Sequence, residues 1–180
     1  MATQQYTDPS QDYRSMYDMT DLKRFKSIKN TYITPGSLMS ILKEDRFSYV
    51  AHLVRVAQFE ALFNSCNLNY TLLIPTNDSL KEKYAPRLLR DFFANIDNQS
   101  ARQIIQYSTI PRIASYSLLT QSPHQYVTTR LNAQRILFQN NTINDDIHFS
   151  EPTIVTTNGL IHIIDNLLIP ETTDNNAIVM

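Results

Sequence analysis

The order of helix-like and strand-like patterns along this chain of 180 residues predicts an α+β fold. Apolar residues at helical spacing recur from Leu38 to Tyr107. One short β-rich run, Tyr70–Ile74, interrupts that region, and further short β-like runs follow Pro111. Because helices and strands are segregated rather than alternating, the pattern favours α+β over a parallel α/β sheet.

The chain divides into an arm, one domain and a tail. Residues 1–34 are polar and dotted with tyrosines, and their hydrophobicity is too low for a core of their own. They are predicted to form an arm with a short helix over Asp21–Lys29. The length of residues 35–170 suits a single domain with a sizeable core. Residues 171–180 are predicted to be a polar C-terminal tail.

Charge and hydropathy argue against nucleic-acid binding and against a membrane span. The formal net charge is -1, so no global basic field exists, and the basic cluster Lys23–Lys26 is interpreted as a solvated helix face. No run of eighteen apolar residues occurs. The first residues lack the basic start and apolar stretch of a secretory signal, which predicts a chain that is not exported. The single cysteine, Cys66, allows no internal disulfide and is predicted to be a small buried side chain.

Helices are predicted in order along the first half of the domain. Pro35–Ser37 predicts a turn and a helix cap, and a second apolar stripe runs from Phe47 to Phe63. Thr76 or Asn77 is predicted to cap a helix, and Pro86 suits the first turn of the next one. Ser100 is predicted to cap a further helix. The inward-facing residues are expected to be Leu38, Ile41, Leu42, Val50, Leu53, Val54, Ala57, Ala61, Leu80, Tyr84, Leu88, Leu89, Phe92, Phe93, Ile104, Ile105 and Tyr107.

Strands are predicted after Pro111, where Asn, Asp and Pro separate short β-like runs. Asn158-Gly159 lies between the last two runs and predicts a hairpin with a type I′ turn, in which both central residues have positive φ. The predicted strands are Gln125–Leu131, Gln134–Gln139, Ile147–Ser150, Pro152–Thr157 and Leu160–Ile169.

Two motifs in this arrangement resemble the signatures of the fasciclin (FAS1) domain family. Residues 71–78, TLLIPTND, resemble the first signature, in which an apolar strand ends in Ala-Pro-Thr-Asn, although Ile74 stands where alanine is usual. Residues 158–170, NGLIHIIDNLLIP, resemble the second signature almost throughout. Residues 104–111, IIQYSTIP, resemble the family's Tyr-His segment. The resemblance covers residues 35–170 with the motifs in the right order and spacing.

The resemblance implies a compact fold, a small β-sandwich or wedge with a helical cluster on one side. It implies no enzyme activity and no cofactor. Family members act mostly as extracellular adhesion modules, often in tandem, and a few bind apolar small molecules such as carotenoids. These properties are expectations for the present chain.

His162 and Asp165 are interpreted as parts of the scaffold rather than as a catalytic pair. Residues three apart on a strand point to opposite faces, and the other histidines have no metal-ligand spacing. His162 is therefore expected to be hydrogen-bonded in the core, and Asp165 to accept hydrogen bonds near the strand end. The other structural motif residues are expected to be the helix cap and the hairpin turn: Thr76, Asn77, Asp78, Asn158 and Gly159. No catalytic, cofactor or metal site is predicted.

Two departures from the family pattern argue against integrin binding. In animal relatives that activity has been attributed to the Tyr-His segment and to an Asp-Ile pair just before the second signature. Here Ser108 follows Tyr107 in place of histidine. Glu151-Pro152 is followed by Thr153-Ile154, so the carboxylate that would contact a receptor metal is missing.

The sequence therefore predicts a non-catalytic protein-interaction module. The favoured hypothesis is a structural or assembly component, such as a minor virion protein, located in a virion or inside a cell. Its arm would tether neighbours through Tyr6, Tyr13 and Tyr17, because tyrosine suits partly wet contacts, and Tyr107 and Ser108 are further candidate contact residues.

Two alternatives stay open, a secreted or cell-surface adhesion module and a carrier of an apolar small molecule. The first would need an export signal, and the second an open apolar cleft. In a chain without a signal, the four Asn-x-Ser/Thr sequences at Asn69, Asn77, Asn98 and Asn140 are interpreted as chance matches.

Overall fold

The computed structural model describes residues 32–131 and 134–171 of the chain. From Thr34 onward the described residues belong to one compact unit. The predicted arm helix, Tyr6, Tyr13, Tyr17 and nearly all of the predicted tail lie outside the described residues. The division into arm, domain and tail therefore stays a prediction.

Short helices occupy most of the first half of the domain. Two of the predicted helix starts agree with the structure, because Ser37 and Pro86 stand at the beginnings of helices. The helical elements are α1 (Leu38–Leu42), a 3₁₀ turn (Asp45–Phe47), α2 (Ser48–Val56), α3 (Glu60–Asn64), α4 (Asn77–Lys83), α5 (Pro86–Asn95), α6 (Asn98–Tyr107) and α7 (Tyr116–Thr120).

The strands form two four-stranded sheets, which confirms the predicted α+β class. Sheet A has the order β2-β1-β8-β7, and sheet B has the order β3-β4-β5-β6. The strands are β1 (Tyr70–Pro75), β2 (Thr109–Ile110), β3 (His124–Thr128), β4 (Arg135–Gln139), β5 (Thr142–Ile143), β6 (Ile147–His148), β7 (Ile154–Thr156) and β8 (Gly159–Ile164).

The two central strands of sheet A, β1 and β8, are parallel neighbours and are buried on both faces. Their registers pair Leu73 with His162 and Ile74 with Ile163. Leu73 and Ile164 pack in one core with the inner face of sheet B, while Leu38 of α1 approaches Gly159. Burial on both faces explains why both signature motifs contain continuous apolar runs rather than alternating ones.

The predicted stripe from Phe47 to Phe63 is not one helix, because the chain turns sharply at Gln58. Gln58 has φ 61, and the N–H of Phe59 donates to the carbonyl of Val54 at 3.0 Å. This is the six-to-one hydrogen bond of a Schellman C-cap, which closes α2. The reversal buries Phe59 and Phe63, whereas Ala61 is only partly buried.

Three further predictions in the helical half of the domain were wrong. α6 is capped by Asp97, whose Oδ1 accepts from the N–H of Ser100 at 2.7 Å, so Ser100 is inside the helix. Leu88 is 52% exposed because α5 turns Leu89 and Phe93 inward. Cys66 lies beyond the end of α3 and is exposed rather than buried.

The predicted type I′ turn at Asn158-Gly159 was also wrong. Thr156 pairs with Gly159, so the two-residue connection between β7 and β8 is Thr157-Asn158. Positive φ occurs in described non-glycine residues elsewhere, and Gly36 is the glycine that has it, at +73°. Gly159 is needed for space instead, because a Cβ there would overlap the carbonyl oxygen of Tyr70.

A tight hairpin of the expected kind lies at Asn140-Asn141, between β4 and β5. Both residues have positive φ, 49° and 66°, and Gln139 pairs with Thr142 across the turn. Asparagine tolerates this left-handed backbone better than most residues. The strand β5 was not predicted from the sequence.

Several strand ends differ from the predicted ones. β3 ends at Thr128 rather than Leu131, and β8 ends at Ile164 rather than Ile169. Beyond β8, Asn166 Oδ1 accepts from the hydroxyl of Tyr84 at 3.0 Å. Leu167 and Leu168, which follow, are buried without continuing the sheet.

Replacing Gly159 with alanine is expected to destabilise the domain more than the same change at Gly36. The new Cβ at position 159 meets the backbone of a paired strand, which cannot move aside, and should cost about 3 kcal/mol. Alanine at the left-handed Gly36 should cost about 1–2 kcal/mol. Urea unfolding of the two variants measures the difference, and an equal or larger loss for Gly36→Ala would contradict this explanation.

Candidate functional site

His162 lies in the middle of β8 with both ring nitrogens occupied. It is 1% exposed. Nε2 lies 2.7 Å from the carbonyl oxygen of Ala114, and Nδ1 lies 2.8 Å from the hydroxyl of Thr153. Because a carbonyl only accepts, Nε2 carries the proton, and Nδ1 accepts from the threonine hydroxyl.

The surroundings of His162 favour the neutral ring. Burial lowers its pKa, and the hydrogen bond to the carbonyl of Ala114 only partly opposes that effect. The ring of Phe149 adds an edge contact at 5.7 Å between centroids. With neither nitrogen available, this histidine is poorly placed to act as a base or a metal ligand.

Asp165 stands directly after β8 and joins the two sheets. Its Oδ1 accepts from the N–H of His148 at 3.0 Å, and its own N–H donates to the carbonyl of His148 at 2.9 Å. Its Oδ2 lies 3.2 Å from the ammonium of Lys83 on α4. An antiparallel bridge between Phe149 and Ile164 continues the same contact. Asp165 thus connects β6, β8 and α4.

Burial and hydrogen bonding have opposite effects on the pKa of Asp165. Partial burial acts to raise it, but the N–H of His148 and the ammonium of Lys83 together outweigh burial, and the pKa is lowered. The carboxylate therefore stays ionised at neutral pH. His162 and Asp165 have separate partners, as their spacing on a strand suggests.

Thr76 and Asn77 organise the start of α4. The hydroxyl of Thr76 accepts from the N–H of Ser79 at 3.2 Å, the bond of an N-cap. The Asn77 side chain turns the other way: its Oδ1 accepts from the N–H of Tyr49 at 3.2 Å, and its Nδ2 donates to the carbonyl of Asp45 at 2.8 Å. Asp78 is exposed, with a long ion pair to Lys81 at 3.8 Å.

Asn158 uses its whole amide group to hold three segments together. Its Oδ1 accepts from the N–H of Leu38 at 2.7 Å, and its Nδ2 donates to the carbonyls of Phe63 and Ser65 at 2.9 and 2.8 Å. The hydroxyl of Thr156 lies 3.3 Å from Oδ1, but it is closer to the carbonyl of Gly159, at 2.8 Å. The turn before β8 therefore fixes the start of α1 and the end of α3.

Tyr107 and Ser108 do not form an interaction surface. They are 7% and 3% exposed. The hydroxyl of Tyr107 accepts from Nδ2 of Asn144 at 2.9 Å, and the backbone of Ser108 continues α6 into β2. Neither presents its side chain to a partner in this structure, because Tyr107 lies on the buried face of α6 and Ser108 is buried at the junction between α6 and β2.

In the segment before the second signature, β7 exposes Val155, and no aspartate occupies position 153. Thr153 stands where the aspartate is missing, and its hydroxyl is directed inward to His162. Val155 faces outward from β7, an edge strand of sheet A, and is 77% exposed. The sequence pattern does not single out Val155, since only the pairing of β7 with β8 reveals which residues face solvent.

Across residues 32–131 and 134–171, the buried polar side chains are hydrogen-bonded within the fold. No buried side-chain nitrogen or oxygen there lacks a hydrogen-bond partner. The same residues contain no group of three or more His, Cys, Asp or Glu side chains that could hold a metal ion. Within them, no helix has the length and apolarity that a membrane crossing requires.

The comparisons with known proteins agree on the family and the fold. The family model of the fasciclin domain matches residues 45–170. Human periostin is 29% identical over 143 residues, which cover 76% of this chain and 16% of periostin. The solved structure of a FAS1 domain pair from the insect cell adhesion molecule Fasciclin I matches with a TM-score of 0.58 at 15% identity, covering 76% of this chain and 51% of that one. The chain thus spans about one sixth of the length of periostin.

Acidification should destabilise the domain through His162. Since its folded-state pKa is lowered, the unfolded chain binds the proton first, so stability is lost as the pH falls from about 6.5 toward the folded-state value. His162→Gln should be less stable at pH 7.5 but should lose less stability between pH 7.5 and 5. Urea midpoints at several pH values measure this. The exposed His124→Gln is the control, and a wild-type slope in His162→Gln would contradict the assignment.

Asn158→Asp is expected to lower stability by about 3–5 kcal/mol at pH 7. The substitution keeps the size of the side chain but places a buried carboxylate oxygen against two carbonyl oxygens. Asn140→Asp, in an exposed turn, should be close to neutral. Calorimetry on both variants provides the comparison, and similar melting temperatures for the two would refute the proposed role of Asn158.

Proposed function

The chain belongs to the fasciclin domain family, and from that membership we propose that it is a non-catalytic protein-interaction domain that acts in adhesion. The insect protein whose domain pair shares this fold is described as a cell adhesion molecule. A secreted or cell-surface location fits that role. The surface chemistry of the domain indicates which kind of partner it would bind.

The use of the motif residues supports a non-catalytic role. His162 has both nitrogens occupied, Asp165 holds the two sheets together, and Asn158 fixes two helices. A general acid or base needs a group that is free to exchange a proton with a substrate. The polar groups of both signatures are engaged inside the fold instead.

The exposure of Val155 is the observation that carries the proposed contact surface. This β-branched side chain is 77% exposed and lies two residues after Thr153, in the segment before the second signature. β7 has β8 as a hydrogen-bonded neighbour on one side and is an edge of the described sheet. Exposed edge strands are templates for pairing with another chain.

The partner that fits this edge is a protein with an extended segment carrying an apolar side chain. Such a segment can add a strand beside β7 through main-chain hydrogen bonds, while Val155 supplies an apolar contact. With Thr153 in place of the aspartate, the segment lacks a carboxylate for a receptor metal. The proposed contact is therefore apolar and independent of divalent cations.

The other two hypotheses remain predictions. A virion assembly role depends on Tyr6, Tyr13 and Tyr17, which lie outside the described residues, and neither the family match nor the two relatives supports a virion or intracellular location. A carrier role depends on an open apolar cleft.

Val155→Asp should reduce adhesion without unfolding the domain. Wells coated with the full chain are incubated with cultured fibroblasts, and the attached fraction is counted with and without a chelator of divalent cations. We expect attachment to fall by about fivefold or more in the variant, because a charge replaces an apolar contact residue, and to be insensitive to the chelator.

Tyr126→Asp is the matched control. Tyr126 is 53% exposed and lies on β3, an edge strand of the other sheet, so its replacement should leave attachment unchanged. Equal melting temperatures would establish that both variants are folded. Attachment no greater than to albumin would overturn the proposed adhesion function, and equal attachment of wild type and Val155→Asp would overturn the proposed surface.

A further inference from the structure

We propose that Asn140 is an N-glycosylation site. The inference rests on the proposed function, because this modification occurs along the secretory route. Asn140-Asn141-Thr142 has the acceptor pattern Asn-x-Thr, which marks a surface loop when it is used. The pattern alone has little specificity, and four such sequences occur in this chain. The fold distinguishes among them.

Asn140 lies at the tip of the β4–β5 hairpin. Both turn residues are exposed and have positive φ. No hydrogen bond joins the side chain of Asn140 to the described part of the chain, and Thr142 starts the short strand that follows. A glycan on Nδ2 of Asn140 would therefore project into solvent and break no contact that the fold uses.

Asn77 is the opposite case. Its Nδ2 donates to the carbonyl of Asp45 and to the hydroxyl of Ser48, each at 2.8 Å, and its Oδ1 accepts from Tyr49. A sugar on that nitrogen would replace one of its two protons and force apart the starts of α2 and α4. A chain glycosylated at Asn77 is not expected to reach this fold.

The remaining two sequences are intermediate. Nδ2 of Asn98 donates to the carbonyl of Val56 at 2.6 Å. Asn69 is exposed, but the threonine of its sequence, Thr71, is fully buried in β1, with its hydroxyl donating to the carbonyl of Arg112 and accepting from the N–H of Ala114. Asn140 is the one whose whole acceptor sequence lies in a surface hairpin.

The transfer needs a lipid-linked oligosaccharide pyrophosphate as donor. Nδ2 of Asn140 forms a bond to the anomeric carbon of the first sugar, and the bond from that carbon to the pyrophosphate oxygen breaks. The amide proton leaves with the lipid pyrophosphate. No oxidation or reduction takes place.

To test this, the full chain is expressed behind a cleavable secretion leader in cultured insect cells. Peptides of the secreted, folded protein are treated with peptide N-glycosidase in ¹⁸O-water, which converts each glycosylated Asn to labelled Asp. Label at Asn140 and none at Asn77 is the expected result. An unlabelled Asn140, or a labelled Asn77 in folded protein, would overturn the proposal.

Two variants give a matched comparison. The Asn140→Gln variant should be secreted without the glycan at this turn. The Asn141→Gln variant changes the neighbouring turn residue but keeps the acceptor pattern, and it should retain the glycan. Loss of the glycan in both would contradict the assignment to Asn140. The peptide mapping of the wild-type chain decides the question even if a variant fails to fold.

The proposed adhesion function and the proposed glycosylation site can be refuted independently. Asn140 lies in a turn between two strands of sheet B and Val155 lies on sheet A, and the adhesion assay can use unglycosylated protein made in bacteria. Adhesion with an unlabelled Asn140 would overturn the glycosylation site alone. A labelled Asn140 without adhesion would overturn the proposed function alone.

Discussion

The hydrogen bonds of one buried amide, that of Asn158, fix the arrangement on which the rest of this domain depends. The side chain satisfies the first N–H of α1 and two carbonyls at the end of α3, and it sits in the turn that starts β8. Each of these groups would otherwise be a buried polar group without a partner, which is costly in a core. The next residue, Gly159, allows β8 to approach β1 closely, because a side chain there would overlap the backbone of Tyr70. These two adjacent residues therefore allow the close parallel pairing of β1 and β8 and anchor α1 and α3 beside it.

The need to satisfy buried polar groups also explains why a segment with histidine and aspartate serves as part of the scaffold. The carbonyl of Ala114 and the hydroxyl of Thr153 hold the ring of His162. Asp165 joins the end of β8 in sheet A to β6 in sheet B. These hydrogen bonds stabilise the neutral ring of His162 and the ionised carboxylate of Asp165 inside the fold. What remains available for partners lies on the edges and turns, with Val155 on β7 and Asn140 on the β4–β5 hairpin. Binding and modification at such positions need no rearrangement of the core.

The sequence predicted the class of fold, the segregation of helices from strands and the cap at Ser37, and it offered Thr76 and Asn77 as alternatives for a second cap, since those features depend on local patterns. It did not predict the end of α2, because Gln58 adopts a left-handed conformation that glycine usually takes. The role of Gly159 was also missed, since the atom that excludes a side chain belongs to Tyr70, a residue far away along the chain. Asn158 and Leu38 are 120 positions apart, so no local pattern links them. Likewise, the outward direction of Val155 is set by the pairing of β7 with β8.

Native-state hydrogen exchange at the backbone amide of Leu38 tests the role of Asn158 most directly. An amide in the first turn of a helix has no partner within the helix and normally exchanges quickly with solvent. If the Asn158 side chain holds α1 in place, the Leu38 amide exchanges as slowly as those of Leu72 and Ile74 in β1. Exchange as fast as that of Asp78, in the exposed first turn of α4, would mean that the Asn158 amide does not hold α1, and would contradict its central role in the fold.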